Sequence, residues 1–146
     1  MTDDALHSTR TFPVSRSTLY AALVDPVRLA RWWGPAGARN TFATCDVRAG
    51  GLWTFTMHLP DGSAYPMRHR FVDVAPPERL VIAHEQAGHD FTLAMTLVPL
   101  DDGRTRLDWA MHFASAGEAR RVRDVVLAAN EQNFDRLAME LACRVS

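Results

Sequence analysis

Between Leu52 and Leu59 the residues alternate: Trp53, Phe55, Met57 and Leu59 fall on one side of an extended chain, and Leu52, Thr54, Thr56 and His58 on the other. One face is aromatic and thioether-rich, the other mostly polar. Such a strand belongs in an antiparallel sheet with one wet face, and its dry face must be covered by something apolar. The two-residue period returns with Tyr65, Met67, His69 and Phe71 in 65–74, with Phe91, Leu93, Met95 and Leu97 in 91–99, and with Leu107, Trp109, Met111 and Phe113 in 104–113. Further strands read at 6–14, 40–48 and 80–85. Gly50-Gly51, Pro60-Asp61-Gly62-Ser63 and Asp101-Asp102-Gly103 supply the turns. Pro76-Pro77 ends the 65–74 strand, because a proline cannot donate to a ladder.

From Ser115 to about Arg144 the period becomes helical. Ser115 with Glu118 makes a capping box, and Val122, Val125, Val126, Ala129, Asn133, Phe134, Leu137 and Leu141 fall near one stripe. A helix of roughly 28 residues is about 42 Å long, enough to lie along the whole inner face of the sheet. Two short helices follow the first strand. Ser15 or Ser17 caps one, and Asp25 with Pro26 starts the other, which ends at Gly34-Pro35. The order is strand, two short helices, six strands and one long helix, an α+β two-layer arrangement. Adjacent residues on a helix lie about 100° apart, so Trp32 and Trp33 are not expected to face inward together; one covers the sheet mouth or meets a partner.

Composition narrows the function classes. The 146 residues fit a single domain, 1–146, and 47% hydrophobic with 23% charged content is the profile of a soluble globular protein. A net charge of −1 gives no basic field for nucleic acid. The apolar runs are far shorter than the roughly 20 residues that span a bilayer, and the polar N-terminus is no signal peptide. Cys45 and Cys143 are far apart, outside any metal-like spacing, which fits a reduced cytoplasmic setting.

The runs DPVRLARWWGP, DVRAGGLWTFTM followed by HLPDGSAYP, VAPPERLV, TLVPLDDGRTRL and NFDRLAMELA together resemble the family of activator of heat-shock protein 90 ATPase homologues. That family lies within the START-like (SRPBCC, Bet v 1-like) helix-grip superfamily. The resemblance runs from Thr11 to about Ala142. It implies a β-α-α-β6-α helix-grip fold and no single function: superfamily members bind hydrophobic small molecules, act as cyclases or aromatase-like enzymes, or serve as co-chaperones. True chaperone activators carry a further N-terminal domain, and 146 residues leave no room for one, which weighs against a co-chaperone role. Many relatives have a glycine followed by an aromatic in the long helix, where this sequence has Ala129 and Asn130.

The leading expectation is a hydrophobic or aromatic small molecule held between sheet and long helix. Its walls would be Trp53, Phe55 and Met57 on one strand, Met67 and Phe71 on the next, Phe91, Met95, Trp109 and Met111 beyond them, Phe134 from the long helix, and Trp33 from the buried stripe of the second short helix. Core packing is the plainer reading of the same residues. His69, His84 and Asn133 interrupt apolar faces; each is either a satisfied core group or a polar handle for a ligand. Histidine titrates near neutrality, so a pH-dependent ligand contact is one expectation. An enzyme of cyclase or isomerase type, with His69 or His84 as acid/base, is the alternative, and a protein–protein module is the third. An exposed Trp beside Gly34-Pro35 would suit a homodimer contact. No cofactor is implied. His84-Glu85 with His89-Asp90 gives HExxxH spacing at a strand end, not the HExxH that sets two imidazoles on one helix face, so no metal is expected.

Overall fold

The structure, a computed structural model, describes residues 5–85 and 91–142. Its elements are β1 (Ala5–Phe12), α1 (Arg16–Val24), α2 (Pro26–Trp32), β2 (Arg39–Cys45), β3 (Leu52–His58), β4 (Ala64–Ala75), β5 (Arg79–His84), β6 (Phe91–Pro99), β7 (Thr105–Phe113) and α3 (Ala116–Ala142). The seven strands form one antiparallel sheet in the order β1-β7-β6-β5-β4-β3-β2, with β1 and β2 as its edges. The two-layer arrangement read from the order of elements, and the helix-grip fold that the resemblance implies, are present. Bulges between Phe42 and Thr44 and between Phe71 and Asp73 insert an extra residue on one strand, which increases local twist and helps the sheet curl.

Local chemistry sets the element boundaries. The Ser15 hydroxyl accepts from the Thr18 N–H at 3.2 Å and starts α1. Asp25 serves two helices. Its N–H donates to Ala21 O and closes α1, while its carboxylate accepts from the Val27 N–H at 3.0 Å and opens α2. Asp25→Ala is therefore expected to cost about 1 kcal/mol of unfolding free energy, read from urea denaturation midpoints; no measurable loss would mean that solvent caps α2 equally well. Gly51 is fixed by close approach, since a Cβ there would meet Asp46 O at 2.0 Å.

The core lies between the inner sheet face and the helices. Leu80, Ile82, Leu93, Leu97 and Leu107 from the sheet meet Leu19 and Leu23 from α1, Leu29 from α2, and Phe134 and Leu137 from α3. The principal neighbours of α3 are β1, α2, α1 and β7. Arg10 on β1 holds both Glu131 and Asp135 at 2.7 Å, and Glu140 is held by Arg28 and Arg31 of α2.

Two expectations are corrected. Trp32 and Trp33 are both buried, at 1% and 7% exposure. The 100° spacing does not apply because Trp33 has left the helix: it is the C-cap of α2, with extended backbone at φ −69°, ψ 136°. Trp32 turns toward α1, where its Nε1 donates to Ala22 O at 2.9 Å, while Trp33 turns onto the sheet. On α3, Val125 is 76% exposed and leaves the stripe. The buried line is Ala119, Asn130, Asn133, Phe134, Leu137 and Leu141, with Val122, Val126 and Ala129 half-buried along it.

Candidate functional site

Antiparallel register places directly opposed residues side by side on one face. Across the inner face one such row runs Cys45, Trp53, His69, His84, Phe91, Phe113. Its rings touch in sequence: Trp53 to His69 at 4.6 Å between centroids, His69 to His84 at 4.8 Å, His84 to Phe91 at 4.8 Å and Phe91 to Phe113 at 5.8 Å. The row is sealed at its centre, where Trp53, His69 and His84 are buried, and half-buried toward Phe91 and Phe113. Phe55 and Phe42 stack beside Trp53 on one side, and Phe71 lies parallel to it at 6.2 Å on the other.

Trp33 is the lid of this row. Its ring lies 4.7 Å from Trp53, 6.0 Å from His69 and 5.7 Å from Trp109. The turn that carries it is pinned from several directions. Gly34 takes φ +100° and donates its N–H to Asn133 Oδ1 at 3.2 Å, while the Asn40 side chain donates to Trp33 O at 2.9 Å. Arg136 of α3 does the most. Its Nη1 donates to Trp33 O, Gly34 O and Pro35 O, and its Nη2 to Arg31 O and Ala38 O. Burial lowers the Arg136 pKa from its usual value, and its partners are carbonyl dipoles at the negative end of α2.

Three buried nitrogens in this cluster have no hydrogen-bond partner among the described residues: Trp53 Nε1, His69 Nδ1 and Trp109 Nε1. Buried polar groups are normally satisfied, and most exceptions have a reason. Burial, with repulsion from His84 adding to it, pushes the His69 imidazole down from 6.5 to about 3. His69 is thus a neutral ring at physiological pH, and the expected near-neutral titration does not apply to it.

The structure divides the expected site residues into groups. Trp33, Trp53, Phe55, His69, His84 and Trp109 are brought together around the row, with Met111 buried two residues along β7 from Trp109. Met57, Met67 and Phe91 are half-buried at its margins. Phe71, Met95 and Phe134 are in the closed core, where Phe134 meets Trp109 edge-on at 5.2 Å and Phe12 at 6.3 Å. Asn133 spends its oxygen on the Gly34 N–H rather than on the row. Two buried amides stand outside the expected site: Asn40, which donates to Trp33 O, and Asn130, whose Nδ2 donates to Ser8 Oγ at 3.1 Å and lies 3.6 Å from Met111 Sδ. Phe113, Val126 and Arg136 are likewise not singled out as site residues; a two-residue period extended to the end of β7 marks Phe113, but no sequence pattern marks Arg136.

His89, Asp90 and Cys143 lie outside the described residues. Among the described residues no group of three or more His, Cys, Asp or Glu is placed to hold a metal ion, and no helix is long and apolar enough to cross a membrane.

The model of the family described as activator of Hsp90 ATPase homolog 1-like protein matches residues 13–142. No curated protein matches the sequence. Among solved structures, a Nitrosomonas europaea protein is similar with a TM-score of 0.86 at 20% identity, over 96% of this chain and 95% of that one. A solution structure from Arthrobacter aurescens gives 0.88 at 20% identity, over 99% and 89%. An AHSA1 protein from Silicibacter pomeroyi gives 0.74 at 22% identity, over 94% and 97%. At such identities the likeness speaks to the fold.

Proposed function

The chain belongs to the activator of Hsp90 ATPase homolog 1-like family, and from that premise we propose that it binds an uncharged, mostly apolar small molecule between the aromatic row and the N-terminal half of α3. The observation that carries this reading is the set of three unpartnered nitrogens, Trp53 Nε1, His69 Nδ1 and Trp109 Nε1, in an otherwise apolar wall. A small-molecule site has that composition: large apolar area with a few polar groups that set orientation. The half-buried side chains Met67, Phe91, Phe113 and Val126 offer the approach. Access to the nitrogens requires Trp33 to move, and its position at a helix end followed by a positive-φ glycine gives it a short hinge.

Binding is favoured over acid/base catalysis by the state of His69. An imidazole with a pKa of about 3 is a weak proton acceptor at neutral pH, whereas a neutral ring nitrogen can still hydrogen-bond an uncharged ligand. Fold likeness alone selects no partner, so a chaperone-directed role has no residue-level support in the site.

Nile red, an uncharged aromatic dye, tests the reading. We expect saturable binding of one dye per chain with quenching of tryptophan emission. Ala129→Trp, which sets an indole on the half-buried side of α3, should abolish binding while the chain stays folded. His69→Leu should weaken it about tenfold, the equivalent of one hydrogen bond. Dye binding that leaves tryptophan emission unchanged, or that survives Ala129→Trp, would place the site elsewhere.

A further inference from the structure

β2 is an open edge. Among the described residues, no backbone group of Arg39–Cys45 hydrogen-bonds to backbone outside its ladder with β3. Two depressions, of about 370 and 500 Å³, run beside this edge against α2 and share Ala30. One is bounded by Val27, Phe42 and Cys45, the other by Arg31, Arg39 and His58. α2 packs beside this strand without pairing to its backbone, and an unpaired edge is a template for another strand.

The ends of β2 carry opposite charge. Arg39, at its start, is exposed and has no carboxylate partner among the described residues. Asp46 follows its end, with 45% of its side chain exposed and one carboxylate oxygen accepting from Arg48 Nε at 2.8 Å, which leaves the other oxygen for a second cation. The bulge at Ala43 also matters. Opposite β3, Arg39, Thr41 and Thr44 fall on the outer face, and Asn40, Phe42 and Cys45 on the inner face. If two copies of β2 run antiparallel with Arg39 facing Asp46, then Asn40 faces Cys45 and Thr41 faces Thr44. In these two pairs outer meets outer and inner meets inner, while Phe42 and the bulged Ala43 meet across the axis. Without the extra residue this register would set outer against inner.

We propose that β2 pairs antiparallel with β2 of a second copy of this chain, about a two-fold axis between Phe42 and Ala43, with Arg39 of each copy opposite Asp46 of the other. The contact is isologous, so each charge pair occurs twice, and the Thr41–Thr44 pair adds a cross-strand contact on the outer face. It replaces the tryptophan-based contact expected from sequence, since Trp32 and Trp33 are both buried. A seven-residue edge with little flanking surface is a small interface, so the dimer is weak and in rapid exchange.

Sedimentation equilibrium over a concentration series tests this. The wild-type chain should associate reversibly. Arg39→Glu sets a second carboxylate against Asp46 at both ends of the contact, and Asp46→Arg sets a second guanidinium against Arg39 at both ends; each should weaken association at least about tenfold. An equimolar mixture of the two variants should associate as the wild type does, because its mixed pairs restore opposite charge at one end and the original carboxylate and guanidinium partners, exchanged between copies, at the other. That recovery also shows that each variant is folded. A wild-type chain that stays monomeric at concentrations used for NMR, an Arg39→Glu variant that associates like the wild type, or a mixture no tighter than either variant alone would each overturn the proposal.

Discussion

Arg136→Met is expected to lower the unfolding free energy by about 3 kcal/mol. Methionine keeps most of the aliphatic stem and fills similar space, so the loss reports the guanidinium. That group donates to five carbonyls of residues 31–38, and these are the acceptors left over where α2 ends and its chain turns toward β2. Hydrogen bonds to a charged donor contribute about 1.5–3 kcal/mol each, but several share one cation here, so the sum saturates well below the additive value. Arg136→Lys should recover less than half of the loss, because an ammonium cannot fan across five acceptors as a planar fork does. Denaturant titration of the three proteins gives the comparison. A loss under about 1 kcal/mol for Arg136→Met would mean that water replaces the guanidinium and that the turn is held by its own backbone.

The same substitution has a functional consequence. The turn clamped by Arg136 carries Trp33, whose ring closes over Trp53, His69 and Trp109. Loosening the clamp raises the population in which that ring is displaced. Arg136→Met should therefore bind Nile red with a faster on-rate than the wild type, even as its stability falls.

Much of the architecture is legible in the sequence because it depends on periods and punctuation. Alternation in 52–59, 91–99 and 104–113 announces strands with one dry face, and Asp25-Pro26 announces a helix start; all of these stand where the pattern puts them. The row is only half legible. Alternation puts His69 and His84 on apolar faces, but counting back from the β4–β5 turn, where Ala75 faces Arg79 and Asp73 faces Val81, would set Glu85 opposite His69. The bulge between Phe71 and Asp73 slips the register by one and brings His84 there instead. Its trace in the residues is slight: the inward apolar phase passes from Phe71 to Val74, leaving Asp73 exposed. Trp33 escapes the pattern for a related reason: one residue more or less of helix decides whether its side chain follows the helical turn or the strand that comes next. Arg136 is illegible in a different way. Its partners are backbone carbonyls, and those belong to every residue alike, so nothing in residues 31–38 advertises that they converge on a cation.

Acid should destabilise the protein through His69 in a window where most carboxylates are still ionised. The imidazole titrates near 6.5 in the unfolded chain and near 3 in the folded one, chiefly because burial penalises its charged form. Between those values the unfolded state holds one more proton than the native state, so falling pH favours unfolding. The contribution is absent above 6.5, grows by about 1.4 kcal/mol for each pH unit descended, and levels off below 3. Glu140, Asp108 and Glu85 have pKa values lowered by their arginine partners, so they add acid sensitivity of the same sign at the low end of the range. Comparison with His69→Phe separates the two sources: phenylalanine continues the aromatic row between Trp53 and His84 and cannot take up the proton. Unfolding free energies of the two proteins from about pH 7 to about pH 4 should diverge with that slope as pH falls, the variant being the flatter. Parallel curves would mean that His69 becomes protonated in the native state through an opening of the Trp33 cover. A water-filled site of that sort would leave its nitrogen already satisfied, and the main support for an uncharged ligand would go with it.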